Sequence, residues 1–123
     1  MTALVWLSVG LLGGVGALGR FLLDAAVSLR LGRQFPVGTL VVNVSGAFLL
    51  GLLVGLGVGG HAMLLAGTAT LGSYTTFSTW MLESHRLGED DELRLAAANL
   101  AVSLLVGMAG AAGGWALGGV LSE

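Results

Sequence analysis

The sequence predicts an all-α membrane protein with four transmembrane helices, and three observations predict it. Five basic and seven acidic residues occur among 123, so charged residues make up 10% of the chain, against about 25% in an ordinary soluble domain. Mean hydropathy is +0.94. The charges fall in clumps, and each interval between them can hold the roughly 20 mostly apolar residues that cross a hydrocarbon core. Buried core helices of a soluble protein would need other elements to cover them, and no element is left for that role.

Each helix follows from one interval. Residues 1–19 carry no charge, and only Arg20 and Asp24 interrupt the apolar run to Leu29, which predicts a first helix over about 3–29. This segment lacks the basic n-region of a secretory signal and is expected to be retained. Arg30 and Arg33 come next, then the uncharged stretch 34–60, predicting a second helix over about 37–57. Pro36, the only proline, suits its first turn. The glycine hinge Gly57-Val58-Gly59-Gly60 leads into a third helix over about 61–85. After the polar segment Glu83–Arg94, residues 95–122 are again uncharged, and a fourth helix is expected over about 93–119. Together they form one transmembrane domain over 1–123.

Composition also excludes functions. There is no cysteine, hence no disulfide framework, thiolate nucleophile or Cys-based zinc site. A net charge of −2, with every cation an Arg, argues against a nucleic-acid partner. An enzyme is not expected. His61 and His85 stand near span ends, and nothing near the many Ser and Thr hydroxyls would activate a nucleophile.

Glycines recur as small-xxx-small pairs: Gly10/Gly14, Gly51/Gly55, Gly55/Gly59, Gly110/Gly114 and Gly114/Gly118. In lipid such pairs let helix backbones approach closely. Four thin helices enclose little volume, so a pathway is expected to need a second subunit.

Polar side chains inside the spans are functional candidates, because an unpaired polar group in hydrocarbon costs several kcal/mol. Thr39 and Asn43 share a face of the second helix, and Asn99 and Ser103 share one of the fourth. Interhelical packing and an ion pathway account for them equally well. The third helix carries Gly72-Ser73-Tyr74-Thr75-Thr76-Phe77-Ser78-Thr79-Trp80. At about 1.5 Å per residue, Thr75 lies roughly 20 Å along a helix begun at His61. A plain Ser/Thr-rich helix is one reading. The other is a break whose freed carbonyls hold a cation, since irregular backbone at that depth is tolerated where it is buried or lines a cavity. Phe77, Trp80 and Glu83 follow one another at three-residue spacing, near one face. Aromatic edges are electropositive and could face an anion, although packing or lipid-facing rings fit the same spacing. Glu83 reads as interfacial, and Trp6 and Trp115 as membrane-belt anchors.

Three segments together resemble the signatures of the Fluc (CrcB) fluoride channel family: Gly13-Gly14-Val15-Gly16-Ala17-Leu18-Gly19-Arg20, Gly38-Thr39-Leu40-Val41-Val42-Asn43-Val44-Ser45-Gly46, and the stretch Gly72–Trp80. The resemblance implies a fluoride-selective channel that exports fluoride passively across the cell (inner or plasma) membrane and so protects against fluoride toxicity. It implies an antiparallel, dual-topology dimer with a break in the third helix and two pores, each built from both subunits. It further implies a structural sodium ion (Na+) at the dimer interface, held by main-chain carbonyls of Gly72 and Thr75. The pore aromatics fall on Phe77 and Trp80, the helix-two asparagine on Asn43, the vestibule arginine on Arg20 and the helix-three glutamate on Glu83. The polar track falls on Asn99 and Ser103, with hydroxyls of Thr39, Thr76 and Thr79 beside the pathway. Three positions depart from the family pattern: Trp80 stands for phenylalanine, Asn99 for a frequent tyrosine, and Ser73 for a frequent glycine.

A neutral, donor-lined pore suits a small, strongly hydrated anion, because a fixed charge would trap it. Arg20 would focus anions near an entrance. The expected partners are fluoride, sodium, membrane lipid and a second copy of the chain. Arg20, Arg30, Arg33, Arg86 and Arg94 all fall on the side of the first and third loops. That bias favours a single orientation, so an oppositely oriented paralogue is the alternative to a homodimer. The rival function is a small multidrug-type proton-coupled cation exporter. That chemistry needs a carboxylate deep in a span, and Asp24 and Glu83 are both peripheral. A non-conducting helical scaffold would leave the mid-span polar residues unexplained.

Overall fold

The computed structural model describes residues 1–123 and is helical throughout, with no strand. Helix α1 covers Ala3–Leu31 and α2 covers Val37–Gly55. The third span is divided: α3 runs over 60–74, and α4 covers Ser78–Glu89. Helix α5 covers Leu93–Leu121. Helices α1, α2 and α5 are each long and apolar enough to cross a membrane. Helix α4 continues past the predicted end at 85 to Glu89, through Gly88.

Local chemistry fixes the ends. The Thr2 hydroxyl accepts the Val5 N–H at 3.3 Å and caps α1. At the other end Gly32 takes φ +80°, and its N–H reaches the Ser28 carbonyl at 2.9 Å. A glycine adopts this conformation without a Cβ penalty. Pro36 stands one residue ahead of α2, and its carbonyl accepts the Leu40 N–H at 3.1 Å.

The packing is inverted relative to a soluble protein. Val42 and Ala69 are the only buried hydrophobic side chains, while Leu4, Leu7, Leu11, Phe21, Leu105 and many others are exposed. The remaining buried residues are glycines, Pro36, Ser28, Thr39, Ser84 and Asn99. In hydrocarbon an apolar exterior costs nothing, and small or hydrogen-bonded residues hold helices together.

Helices α2 and α5 form the closest seam. Any side chain at Gly51 would collide with the Ala111 carbonyl, at Gly114 with the Phe48 carbonyl, and at Gly118 with the backbone of Leu52 and Gly55. The glycine pairs expected to mediate packing therefore divide. Gly51/Gly55 and Gly110/Gly114/Gly118 lie in this seam, whereas Gly10, Gly14 and Gly59 have nothing within 4 Å.

The interruption after α3 redirects the chain. Helix α3 packs on α1, where Gly16 sits against the Thr70 carbonyl, whereas α4 packs on α5. A straight helix could not follow both neighbours. Residues Met63–Leu71 of α3 form wide π-helical turns, in which the Thr70 hydroxyl donates to the Leu65 carbonyl at 2.8 Å. No feature of the sequence pattern marks that widening.

Candidate functional site

Helix α2 holds the interruption open. Thr75 is extended, at φ −81° and ψ 162°. The side-chain amide of Asn43 donates to the Thr76 carbonyl at 2.8 Å and accepts the Thr76 N–H at 2.8 Å. In a continuous helix that N–H would donate to the Gly72 carbonyl. The Thr79 N–H, which would likewise reach Thr75, donates to the Thr76 hydroxyl at 3.2 Å. The carbonyls of Gly72 and Thr75 are left without a protein donor. Two more contacts from α2 brace the same turn: Ser45 shares a hydrogen bond with the Tyr74 hydroxyl at 2.8 Å, and Gly46 lies against Thr75 and Tyr74.

An open crevice of about 510 Å³ borders the break, with Asn43, Gly72, Thr75, Thr76, Phe77 and Trp80 among its lining residues. No ionisable side chain lines it. It therefore offers neutral donors, two freed carbonyls and two aromatic rings. Asn43 keeps one amide N–H beyond the one spent on Thr76. Phe77 and Trp80 meet edge to face, with centroids 5.8 Å apart and planes at 84°. Phe77 is 69% exposed.

Across Thr76 lies a smaller chamber of about 200 Å³, lined by Arg20, Asp24, Thr39 and Thr79 among others. Arg20 thus faces the hydroxyl-bearing end of α4, together with one carboxylate. Asp24 accepts the Ser28 hydroxyl at 3.2 Å. Beyond the chamber Thr39 is buried and donates to Glu83 at 2.5 Å. Glu83 itself borders a third hollow of about 600 Å³, which Arg33 and Arg86 also line at the end where the first and third loops meet. The expected grouping of Phe77, Trp80 and Glu83 is therefore split. The aromatics line the crevice, and Glu83, one turn further along α4, lines the outer cleft.

Asn99 is the larger departure from a residue facing an ion. It is 0% exposed, and its side-chain N–H donates to the Ser84 hydroxyl at 2.8 Å. Ser103 donates to the Asn99 side-chain oxygen at 3.3 Å, so this pair does meet on α5 as its spacing suggests. Ser84 was not among the sequence candidates. Its position four residues after Trp80, on the same helix face, was the available signal.

A profile of the family described as "CrcB-like protein, Camphor Resistance (CrcB)" matches residues 7–115. The chain belongs to the CrcB family. Over 110 residues it is 59% identical to the "Fluoride-specific ion channel FluC 2" of Mycolicibacterium paratuberculosis, covering 89% of this chain and 90% of that protein. It is 54% identical over 111 residues to the protein of the same name in Mycobacterium tuberculosis, covering 90% and 88%. The "Fluoride-specific ion channel FluC 1" of Symbiobacterium thermophilum is 41% identical over 119 residues, covering 92% and 96%. This CrcB protein is thus a multi-pass, all-helical membrane protein. The stretches quoted above for the resemblance all fall inside the matched region.

Proposed function

We propose that the chain is a fluoride-selective channel that exports fluoride passively across the cell membrane and so protects against fluoride toxicity. The observation that carries this reading is the uncharged crevice at the helix break, where amide and hydroxyl donors stand beside two aromatic edges. A small anion leaving water needs its hydration replaced, and neutral donors do so without holding it too tightly for release. The free N–H of Asn43 and the Thr79 hydroxyl are the donors in this reading, with the edges of Phe77 and Trp80 adding weak attraction. The Thr76 and Ser103 hydroxyls have spent their protons on Thr79 and Asn99. Arg20 focuses anions at the inner chamber. The Thr39 hydroxyl is committed to Glu83, so the pair acts as a wall between chamber and outer cleft.

In the same reading the channel is an antiparallel dimer. The crevice is open on one side and Phe77 is largely uncovered, which supports a second copy closing the pathway. A structural sodium ion would be held by the carbonyls of Gly72 and Thr75, whose freed oxygens suit a hard cation at a helix break. No cluster of acidic or histidine side chains competes for that role. When bound, the ion would supply positive charge that offsets anion desolvation and would pin the broken helices.

Fluoride efflux from liposomes containing the purified protein tests the proposal. Efflux well above that of empty liposomes is expected, without a proton gradient or an organic cation. A rate equal to empty liposomes rejects the channel, and cation transport driven by protons identifies the multidrug-type exporter instead. Labelling Ser122→Cys from each side of the membrane tests dual insertion, with reaction on both sides expected. Reaction from one side only points to an oppositely oriented paralogue as the partner.

A further inference from the structure

We infer that Asn99 and Ser84 are positioning residues for Trp80, and that they set the direction in which its ring meets the crevice. The inference deepens the channel reading, on which its consequence for fluoride flux rests. Three hydrogen bonds close a ring around this tryptophan. Its indole N–H donates to the main-chain carbonyl of Asn99 at 3.0 Å. The Asn99 side-chain amide donates to the Ser84 hydroxyl at 2.8 Å. The Ser84 hydroxyl in turn donates to the Trp80 carbonyl at 2.9 Å. The two ends of Trp80, its backbone and its indole, are thereby tied to one residue of α5.

The tie exists because residue 80 is a tryptophan. A phenyl ring has no N–H to place on the Asn99 carbonyl, and it could turn about its side-chain torsions without losing a bond. The Phe77 side chain, by contrast, has no hydrogen-bonding group and meets Trp80 through its ring. Fixing Trp80 therefore fixes the one aromatic neighbour against which Phe77 rests. Asn99 is fully enclosed, its side chain bonded to Ser84 and Ser103 and its main-chain carbonyl to the indole, so it reaches the crevice through Trp80. Full burial and complete hydrogen bonding are what a precise second layer behind a binding group requires.

A mutant cycle separates this role from direct contact with the ion. Asn99→Ala and Ser84→Ala are made in the wild-type chain and again with Trp80→Phe, and fluoride efflux is measured in liposomes. Both variants keep the main-chain carbonyl that receives the indole and remove the side-chain link that seats it. In the wild-type background each should therefore slow efflux by about fivefold, the effect of one net hydrogen bond. With Trp80→Phe already present, the same substitutions should change the rate by less than about twofold, since the group they position has lost its N–H. Equal losses in both backgrounds overturn the inference. Ser84→Ala removes only a hydroxyl and serves if Asn99→Ala fails to fold.

Fluorescence supplies a readout independent of transport. The chain has three tryptophans, and Trp6→Phe with Trp115→Phe leaves Trp80 as the sole tryptophan emitter. Ser84→Ala should then lower the anisotropy of Trp80 and shift its emission. Unchanged emission and anisotropy overturn the inference. If the wild-type protein passes no fluoride, the channel reading fails, and the fluorescence result alone decides whether Asn99 and Ser84 hold the indole.

Discussion

Asn43 and Thr76 exchange two hydrogen bonds of 2.8 Å each, and through them a side chain of α2 replaces the helical partner of a broken backbone. The exchange explains how a helix break can persist in lipid. The Thr76 N–H and C=O, orphaned by the extended turn at Thr75, both find a partner, so the cost of unpaired backbone in hydrocarbon is avoided at this residue, while the carbonyls of Gly72 and Thr75 stay open.

Removing that partner should be costly. Asn43→Ala is expected to destabilise the protein by about 2 kcal/mol, from two net hydrogen bonds, and to slow fluoride efflux. Thermal unfolding in detergent and liposome flux measure the two effects. Asn43→Asp keeps the acceptor for the Thr76 N–H but lacks the donor for its carbonyl, so at most part of the loss should be recovered. Flux and stability both at wild-type values would mean that the break does not depend on this clamp.

The Thr39–Glu83 pair separates loss of a partner from loss of charge. Thr39→Val strands a partly buried carboxylate and should destabilise by about 1–3 kcal/mol. Glu83→Gln leaves an oxygen to accept the Thr39 hydroxyl and should cost less. Thermal unfolding of the two variants side by side makes the comparison, and the reverse order would contradict the role given to this hydrogen bond.

Phe77 should divide function from stability. Its ring is 69% exposed and rests against Trp80, so Phe77→Ala should lower the stability of the fold by no more than about 1 kcal/mol, the worth of one aromatic pair. Efflux should nevertheless fall about tenfold or more if the ring edge faces the ion, an edge effect of about 1.4 kcal/mol by the usual conversion. Normal efflux would move the pathway away from the crevice.

Adjacent glycines of α5 provide an internal control. Gly113 has nothing within 4 Å, whereas a Cβ at Gly114 would strike the Phe48 carbonyl. Gly113→Ala should be neutral or stabilising by up to about 1 kcal/mol through helix propensity. Gly114→Ala should force α2 and α5 apart and lower the yield of folded, monodisperse protein on gel filtration. Equal behaviour of the two variants would show that the seam is not closely packed.

Sodium dependence tests the freed carbonyls. Replacing Na+ on both sides of the membrane with a large organic cation is expected to reduce fluoride efflux, because Gly72 and Thr75 offer small, hard ligands that such a cation cannot use. Efflux that is indifferent to the cation would remove sodium from the mechanism.

Much of this is legible in the sequence. The clumped charges marked the spans, because each ionised group inside hydrocarbon carries its own cost whatever its neighbours are. The segment Gly72–Trp80 drew attention through its density of hydroxyls, and the interruption falls within it. Other features could not be read. Gly10/Gly14 and Gly114/Gly118 have the same spacing, yet one pair meets open space and the other meets α2. Asn99 is enclosed behind Trp80, a placement that its spacing from Ser103 does not reveal.

The amino-acid sequence by itself determined which stretches are apolar enough to enter a bilayer and where its polar chemistry is concentrated. Both depend on the transfer cost of individual residues and their immediate neighbours in the chain. Tertiary structure alone decided which polar groups stay open and which are consumed in holding the helices together. The Asn43–Thr76 clamp joins residues 33 apart in the chain, and the Trp80–Asn99 tie joins two that are 19 apart. Whether such groups meet depends on how helix faces are rotated against one another, and a single strand of letters does not specify that angle.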